Sequence, residues 1–286
     1  MTALRITPLA PALGAQVTGL DLRQPLDPAV VDTLRAAWLE HIVLLFPDQP
    51  LGQDQQLAFA ARFGTVGTRA TPPDRRHEQD DYDGAIMLVS NIRDDKGVPI
   101  GSLPDGEMWF HHDMSYRPEP HKATLLNAVE LPDEGGHTKF ANMYLAYDNI
   151  PAALKQKLAG RRVLQIYDFA MTEKVDIDGG LEAYQHQWQP IFIAHPDTGR
   201  VALYVSRLIS ALIEGLPRAE SDAVLADLLA IAEDPAIGYE HVWRAGDLAM
   251  WDNRCSIHAR TDFPRDQRRL LRRCTVEGGP MTAAAA

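Results

Sequence analysis

The 286-residue sequence predicts a mainly β protein with flanking helices (α+β), a β-sandwich or jelly roll that carries its helices on the outside. Three observations predict it. From residue 121 onward the chain is a run of short apolar segments of strand length: "KATLLNAVEL", "RRVLQIY", "QPIFIAH", "VALYVSR", "YEHVWRA", "DLAMWDN" and "RLLRRCTV". Turn signals such as "PDEGG" and "PDTGR" separate them. Two helical patterns interrupt the run, "PAALKQKLAG" and "ESDAVLADLLAIAED", the second with a Val224, Leu225, Leu228, Leu229 stripe.

The N-terminal elements follow in order. "AQVTGLDL" reads as extended chain. "DPAVVDTLRAAWLEH" reads as a helix with Asp27 as N-cap, Pro28 at the first helical position and Val30, Val31, Leu34 and Trp38 on one face. The apolar run "IVLLF" (42–46), bounded by "PDQP", suits a fully buried strand, and "DQQLAFAARFG" a second amphipathic helix closed by Gly64. Residues 65–107 are polar and rich in Pro, Gly and Asp, with one apolar segment, "AIMLVSNI". An irregular excursion of that length is functional or disordered, and 168–189 is a second polar loop of the same kind.

Composition bounds the function. Apolar residues make up 45% and charged residues 23%, the balance of an ordinary globular protein with one large domain or two small ones. No stretch approaches the roughly 18 apolar residues of a membrane span. The start "MTALRITPLAP" lacks the basic and apolar regions of a secretory signal, so the cytoplasm is the expected address. Cys255 and Cys274 cannot build a disulfide framework or a thiolate zinc site and read as buried small hydrophobes. A net charge of −11 argues against non-specific binding to nucleic acid or an anionic membrane.

The chemistry concentrates around "MWFHHDMSY" (108–116). If 109–115 is extended, His111 and Asp113 point one way and His112 the other. An imidazole and a carboxylate two apart can share a metal ion with one further imidazole, the two-His-one-carboxylate set of non-haem Fe(II) oxygenases. The triplet alone is weak evidence in a chain with ten histidines. Candidates for the third ligand are His121, His137, His186, His195, His241 and His258. His195 reads as a turn residue and His241 as a satisfied core histidine. His258 is set apart by the strand that follows it, where Arg269, Leu271 and Arg273 share one face and Arg268 and Arg272 the other. Inward arginines need anions, and a guanidinium near a metal is a bidentate receptor for a carboxylate. A basic strand paired with surface acids is the alternative, and spacing does not choose between them.

Further motifs choose. Phe110-His111-His112-Asp113, "GGHT" (135–138), Trp251–Asn253, His258, Arg269 and Arg273 occur in one order, with 27 residues from His111 to Thr138 and 11 from His258 to Arg269. Together they resemble the taurine dioxygenase and 2,4-dichlorophenoxyacetate dioxygenase family of Fe(II)/2-oxoglutarate-dependent oxygenases, over nearly the whole chain from "GAQVTGLDL" to "RRCTV".

The resemblance implies a double-stranded β-helix (jelly roll) over 1–286 as one oxygenase domain, with 65–107 and 168–189 as lids. It implies Fe(II) on His111, Asp113 and His258, with His112 as spacer. It implies 2-oxoglutarate, its distal carboxylate on Arg269 and the Thr138 hydroxyl, and O2 as co-reactant. The expected reaction is hydroxylation of a small organic acid, with 2-oxoglutarate converted to succinate and CO2. Arg273 matches the position that binds the substrate's anionic group, and Arg69 is a looser second cation. Glu107 falls where taurine enzymes place an asparagine, a departure that argues against taurine. Tyr116, Phe140 and Ile209 are the expected apolar lining. An aryloxyalkanoate heads the substrate classes, with an alkylsulfonate or amino-acid-like metabolite as the alternative and a metal-free binding module as a remote third. Relatives form dimers or tetramers, and no exposed apolar stripe in this sequence selects one.

Overall fold

The computed structural model describes residues 3–285, except 70, 72–75, 77–81, 103–105, 168–176, 178–179 and 183. In chain order the elements are β1 (Arg5–Pro8), β2 (Ala15–Thr18), α1 (Pro28–His41), β3 (Val43–Phe46), α2 (Gln53–Ala60), β4 (Met87–Ser90), β5 (Met108–His111), β6 (Ala123–Glu130) and β7 (Thr138–Asn142). They continue with α3 (Met143–Asn149), α4 (Ala152–Leu158), β8 (Arg162–Ile166), β9 (His186–Pro190), β10 (Phe192–Ala194), β11 (Val201–Leu203) and β12 (Ser210–Ile213). The last are α5 (Arg218–Ala232), β13 (Gly238–His241), β14 (Leu248–Asp252), β15 (Ser256–Arg260) and β16 (Leu270–Val276).

Two sheets matter for function. A seven-stranded sheet runs β1-β2-β3-β14-β6-β16-β4, antiparallel except where β2 meets β3, and a four-stranded antiparallel sheet runs β13-β7-β15-β5. Apart from the run β1-β2-β3, the neighbours in these sheets are far apart in sequence, as the crossing connections of a jelly roll require.

Side-chain alternation explains why the larger sheet reads as continuous apolar runs. In β3, Leu44 and Phe46 join a core with Leu34, Trp38, Phe59 and Phe63, under α1 and α2. Val43 and Leu45 face the other way and join Leu126, Ala249, Trp251, Phe140 and Ile257 between the two sheets. A strand covered on both faces has no polar side, so "IVLLF" shows no period-two pattern. The α1 helix starts as its sequence predicts: the Asp27 carboxylate accepts from the Ala29 amide at 2.8 Å, and Val31, Leu34, Ala37 and Trp38 are its buried face. Fully burying each large side chain of that face contributes about 1.5–3 kcal/mol.

Two expectations are corrected here. The excursion 65–107 is not irregular throughout, because "AIMLVSNI" contributes β4, which pairs with β16 so that Met87 lies opposite Arg273. The remaining lid assignments at 65–107 and 168–189 fall partly outside the described residues. The extended reading of 109–115 also fails beyond His111. A turn begins at Asp113, Met114 adopts φ 58°, and the Arg117 amide donates to the Met114 carbonyl at 2.9 Å. Asp113 therefore reaches the same side as His111 through a turn and not through strand alternation.

Candidate active site

β5 and β15 are neighbours in the smaller sheet, and their register sets His258 directly opposite His111. The ring centroids are 4.2 Å apart. The turn after β5 folds Asp113 back over them, with Oδ1 3.8 Å from His111 Nε2 and Oδ2 4.0 Å from His258 Nε2. Each of the three side chains offers one donor atom within 4.8 Å of the others. His111 and Asp113 are buried, and His258 nearly so.

The donor set is primed for a cation. Burial pushes the pKa of both imidazoles down, so both rings are neutral. The Trp109 carbonyl, 2.9 Å from His111 Nδ1, accepts from it and leaves the Nε2 lone pair facing Asp113. Burial alone would raise Asp113, but the Arg273 charge beside it, with the Thr124 hydrogen bond, outweighs this and holds the carboxyl well below its ordinary range. Two neutral imidazoles and one carboxylate, buried together, suit a divalent first-row metal. Oδ2 also accepts from the Thr124 hydroxyl at 2.6 Å and lies 2.9 Å from Arg273 Nη2.

These groups open onto a cavity of about 370 Å³ between the two sheets. Thr138, on β7, and Arg269, just before β16, share its wall. The Trp243 indole N–H donates to Thr138 Oγ1 at 3.0 Å, so the hydroxyl proton is free to point elsewhere. Arg269 is 2% exposed; Nη2 donates to the Gly136 carbonyl at 3.1 Å, while Nε has no partner among the described residues. Burial, with Arg260 nearby, pushes this guanidinium below its ordinary value. A buried, half-satisfied guanidinium beside a free hydroxyl asks for a carboxylate. Arg273, Arg69 and Tyr116 line the same cavity, with Met87, Val89, Met108 and Leu126 as apolar wall. Arg69 Nη2 donates to the Ser102 hydroxyl at 3.2 Å, and Tyr116 meets Tyr167 edge-on.

The remaining site expectations lie elsewhere. Glu107 is exposed and outside the cavity lining, as the strand that starts at Met108 turns it to solvent. Phe140 and Ile209 are buried and outside the cavity lining; Phe140 stacks on the His258 ring. The other candidate histidines are accounted for among the described residues. His137 bonds Glu240, His186 the Tyr184 carbonyl, His195 Asp252 and His241 Asp247. His112 is fully buried on the far face, against the Tyr204 ring at 4.2 Å, as a spacer should be. His121, a ligand candidate by sequence, lines the cavity wall. Sequence reasoning passed over Arg260 and Thr124. Arg260, two residues after His258 on one strand face, was findable by alternation; nothing in the sequence marked Thr124.

A profile of the family described as "Taurine catabolism dioxygenase TauD, TfdA family" matches residues 5–275. The chain belongs to this dioxygenase family. Among its relatives, the (S)-phenoxypropionate/alpha-ketoglutarate-dioxygenase of Sphingobium herbicidovorans is 34% identical over 299 residues, covering 99% of this chain and 98% of that protein. The alpha-ketoglutarate-dependent 2,4-dichlorophenoxyacetate dioxygenase of Burkholderia sp. (strain RASC) is 34% identical over 285 residues, covering 94% and 93%. A crystal structure of a putative alpha-ketoglutarate-dependent taurine dioxygenase from Burkholderia xenovorans superposes with a TM-score of 0.82 at 28% identity, covering 98% of this chain and 92% of that one. The jelly-roll expectation holds across this TauD/TfdA member.

Proposed function

We propose that residues 1–286 form one catalytic unit that holds Fe(II) on His111, Asp113 and His258 and hydroxylates a small aryloxyalkanoate with 2-oxoglutarate and O2. One observation carries this reading: a neutral-imidazole, carboxylate donor set opens onto a largely apolar cavity whose wall also carries the guanidinium groups of Arg269, Arg273 and Arg69. The bound metal and 2-oxoglutarate would supply the oxidising chemistry, converting 2-oxoglutarate to succinate and CO2 as substrate is hydroxylated.

The chain's own residues do the rest. Arg269 and Thr138 bind and orient the distal carboxylate of 2-oxoglutarate, and Trp243 fixes the direction of the Thr138 hydroxyl. Arg273 and Arg69 receive the substrate's anionic group, while Met87, Val89 and Leu126 exclude water from its aryl end. The relatives named for phenoxypropionate and 2,4-dichlorophenoxyacetate support the aryl acid over a sulfonate. The acidic chain is read as a partner of small molecules, and no described helix is long and apolar enough to cross a membrane.

The test is succinate formation by Fe(II)-loaded protein with 2-oxoglutarate and O2, across both enantiomers of aryloxypropionates, aryloxyacetates, taurine, other alkylsulfonates and amino acids. Strong stimulation by an aryloxyalkanoate is expected. Stimulation by a sulfonate or amino acid alone would replace the substrate class, and no succinate under any condition would remove the oxygenase reading.

A further inference from the structure

The metal-ligand carboxylate is held by a relay that starts outside the cavity. Thr124 lies on β6, is fully buried, and places Oγ1 2.6 Å from Asp113 Oδ2. The Thr124 hydroxyl donates to that carboxylate oxygen, so its single proton points at Asp113. That leaves the hydroxyl lone pairs for the Asn253 amide, whose Nδ2 donates to Thr124 Oγ1 at 2.9 Å. The orientation of that amide is fixed independently. Its nitrogen also donates to the His121 carbonyl at 3.3 Å, and a carbonyl can only accept.

Asn253 makes these bonds at a cost. Its Oδ1 is buried with no partner among the described residues. An apolar side chain in its place would avoid that cost, so the group is explained by what Nδ2 does. The turn that carries it is rigid: Asp252 accepts from the Arg254 amide, Nε and Nη2 and from His195 Nε2, and the Asn253 amide donates to the Lys122 carbonyl. Asp113 Oδ1, in contrast, accepts no hydrogen bond among the described residues.

We propose that Thr124 and Asn253 are positioning residues that lock Asp113 Oδ2 by hydrogen bonding and present Oδ1 to the metal as a single donor. The proposal rests on the metal assignment above. A freely rotating carboxylate could offer either oxygen or both; the locked one offers a defined donor and leaves more of the metal's coordination sphere to cosubstrate and oxygen.

The experiment is Co(II) binding to the purified full chain, followed by titration and by the visible spectrum, with Thr124→Val, Thr124→Ser, Asn253→Ala and the double variant Thr124→Val/Asn253→Ala. Valine keeps the shape of threonine and removes the donor; serine keeps the donor and removes a methyl. Thr124→Val is expected to weaken Co(II) on the order of 10- to 100-fold and to change the spectrum. Thr124→Ser should restore both, and Asn253→Ala should weaken Co(II) in the wild-type background but not further in Thr124→Val. Wild-type affinity and spectrum in Thr124→Val would overturn the proposal, as would serine behaving like valine. If Thr124→Val does not fold, an unaltered spectrum in Asn253→Ala overturns it equally. Failure of the wild-type chain to bind Co(II) at all would refute the metal assignment instead, so the two failures are distinct.

Discussion

Two buried clusters in this protein contain similar kinds of residue, and only one of the two lines the cavity. His111, Asp113 and His258 bring donor atoms within 4.8 Å of one another, and so do His195, Asp252 and Cys255. In the second cluster the imidazole and the carboxylate are both engaged within the protein. His195 Nδ1 accepts the Asp197 and Thr198 amides, so its Nε2–H donates to Asp252, whose remaining capacity is taken by Arg254. Burial raises Asp252, but Arg254 and His195 more than offset this and hold it at about 2. Burial pushes the Cys255 thiol up, so no thiolate is offered. The first cluster lines a cavity. Proximity of the right residue types does not by itself make a site; access to a cavity separates these two clusters.

The largest effect expected is from His258→Ala, which should abolish turnover and remove tight Fe(II) binding, as measured by succinate release and dialysis. His195→Ala should do the opposite, leaving Fe(II) binding intact while lowering unfolding stability by about 3 kcal/mol, because it strands part of a buried charge network. Chemical denaturation checks that. Next, Arg269→Ala should raise the KM for 2-oxoglutarate by roughly 10- to 100-fold, the loss of one charge-assisted contact, with a much smaller change for substrate. Arg273→Ala should raise the substrate KM in the same range and leave 2-oxoglutarate nearly unchanged. Steady-state kinetics with each varied in turn separates them, and equal effects on both would refute the division of the cavity.

A further effect, spread over a range of pH, sharpens the contrast through acid. Burial pushes His121 on the cavity wall down to about 4 from an unfolded value of 6.5. The unfolded chain therefore takes up this proton first. Stability is complete above pH 6.5 and declines as pH falls toward 4, by on the order of 3 kcal/mol for this group. His121→Phe should flatten that part of the Tm-against-pH curve for the metal-free protein.

How much of this was legible in the sequence depends on range. Local rules found α1 with its Asp27 cap, the buried β3 and the strand-rich second half, because capping and apolar runs are local properties. The spacing of "FHHD", His258 and the arginines marked the ligand and anchor candidates. Strand alternation also predicted that Arg269 and Arg273 would share a side, and both line the cavity. The turn at Asp113 was not legible, since a positive φ at Met114 has no residue signature. Nor was the exposure of Glu107, which depends on where β5 begins. Thr124 was invisible because its role comes from a contact across the fold, with Asn253 129 residues away.

The most direct measurement is anaerobic Fe(II) binding by equilibrium dialysis on the wild-type chain, Asp113→Ala and His195→Gln. One Fe(II) per chain in the wild type and in His195→Gln, with tight binding lost in Asp113→Ala, is the predicted result. Full binding retained in Asp113→Ala, or lost in His195→Gln, would contradict the assignment of the metal to the cavity cluster.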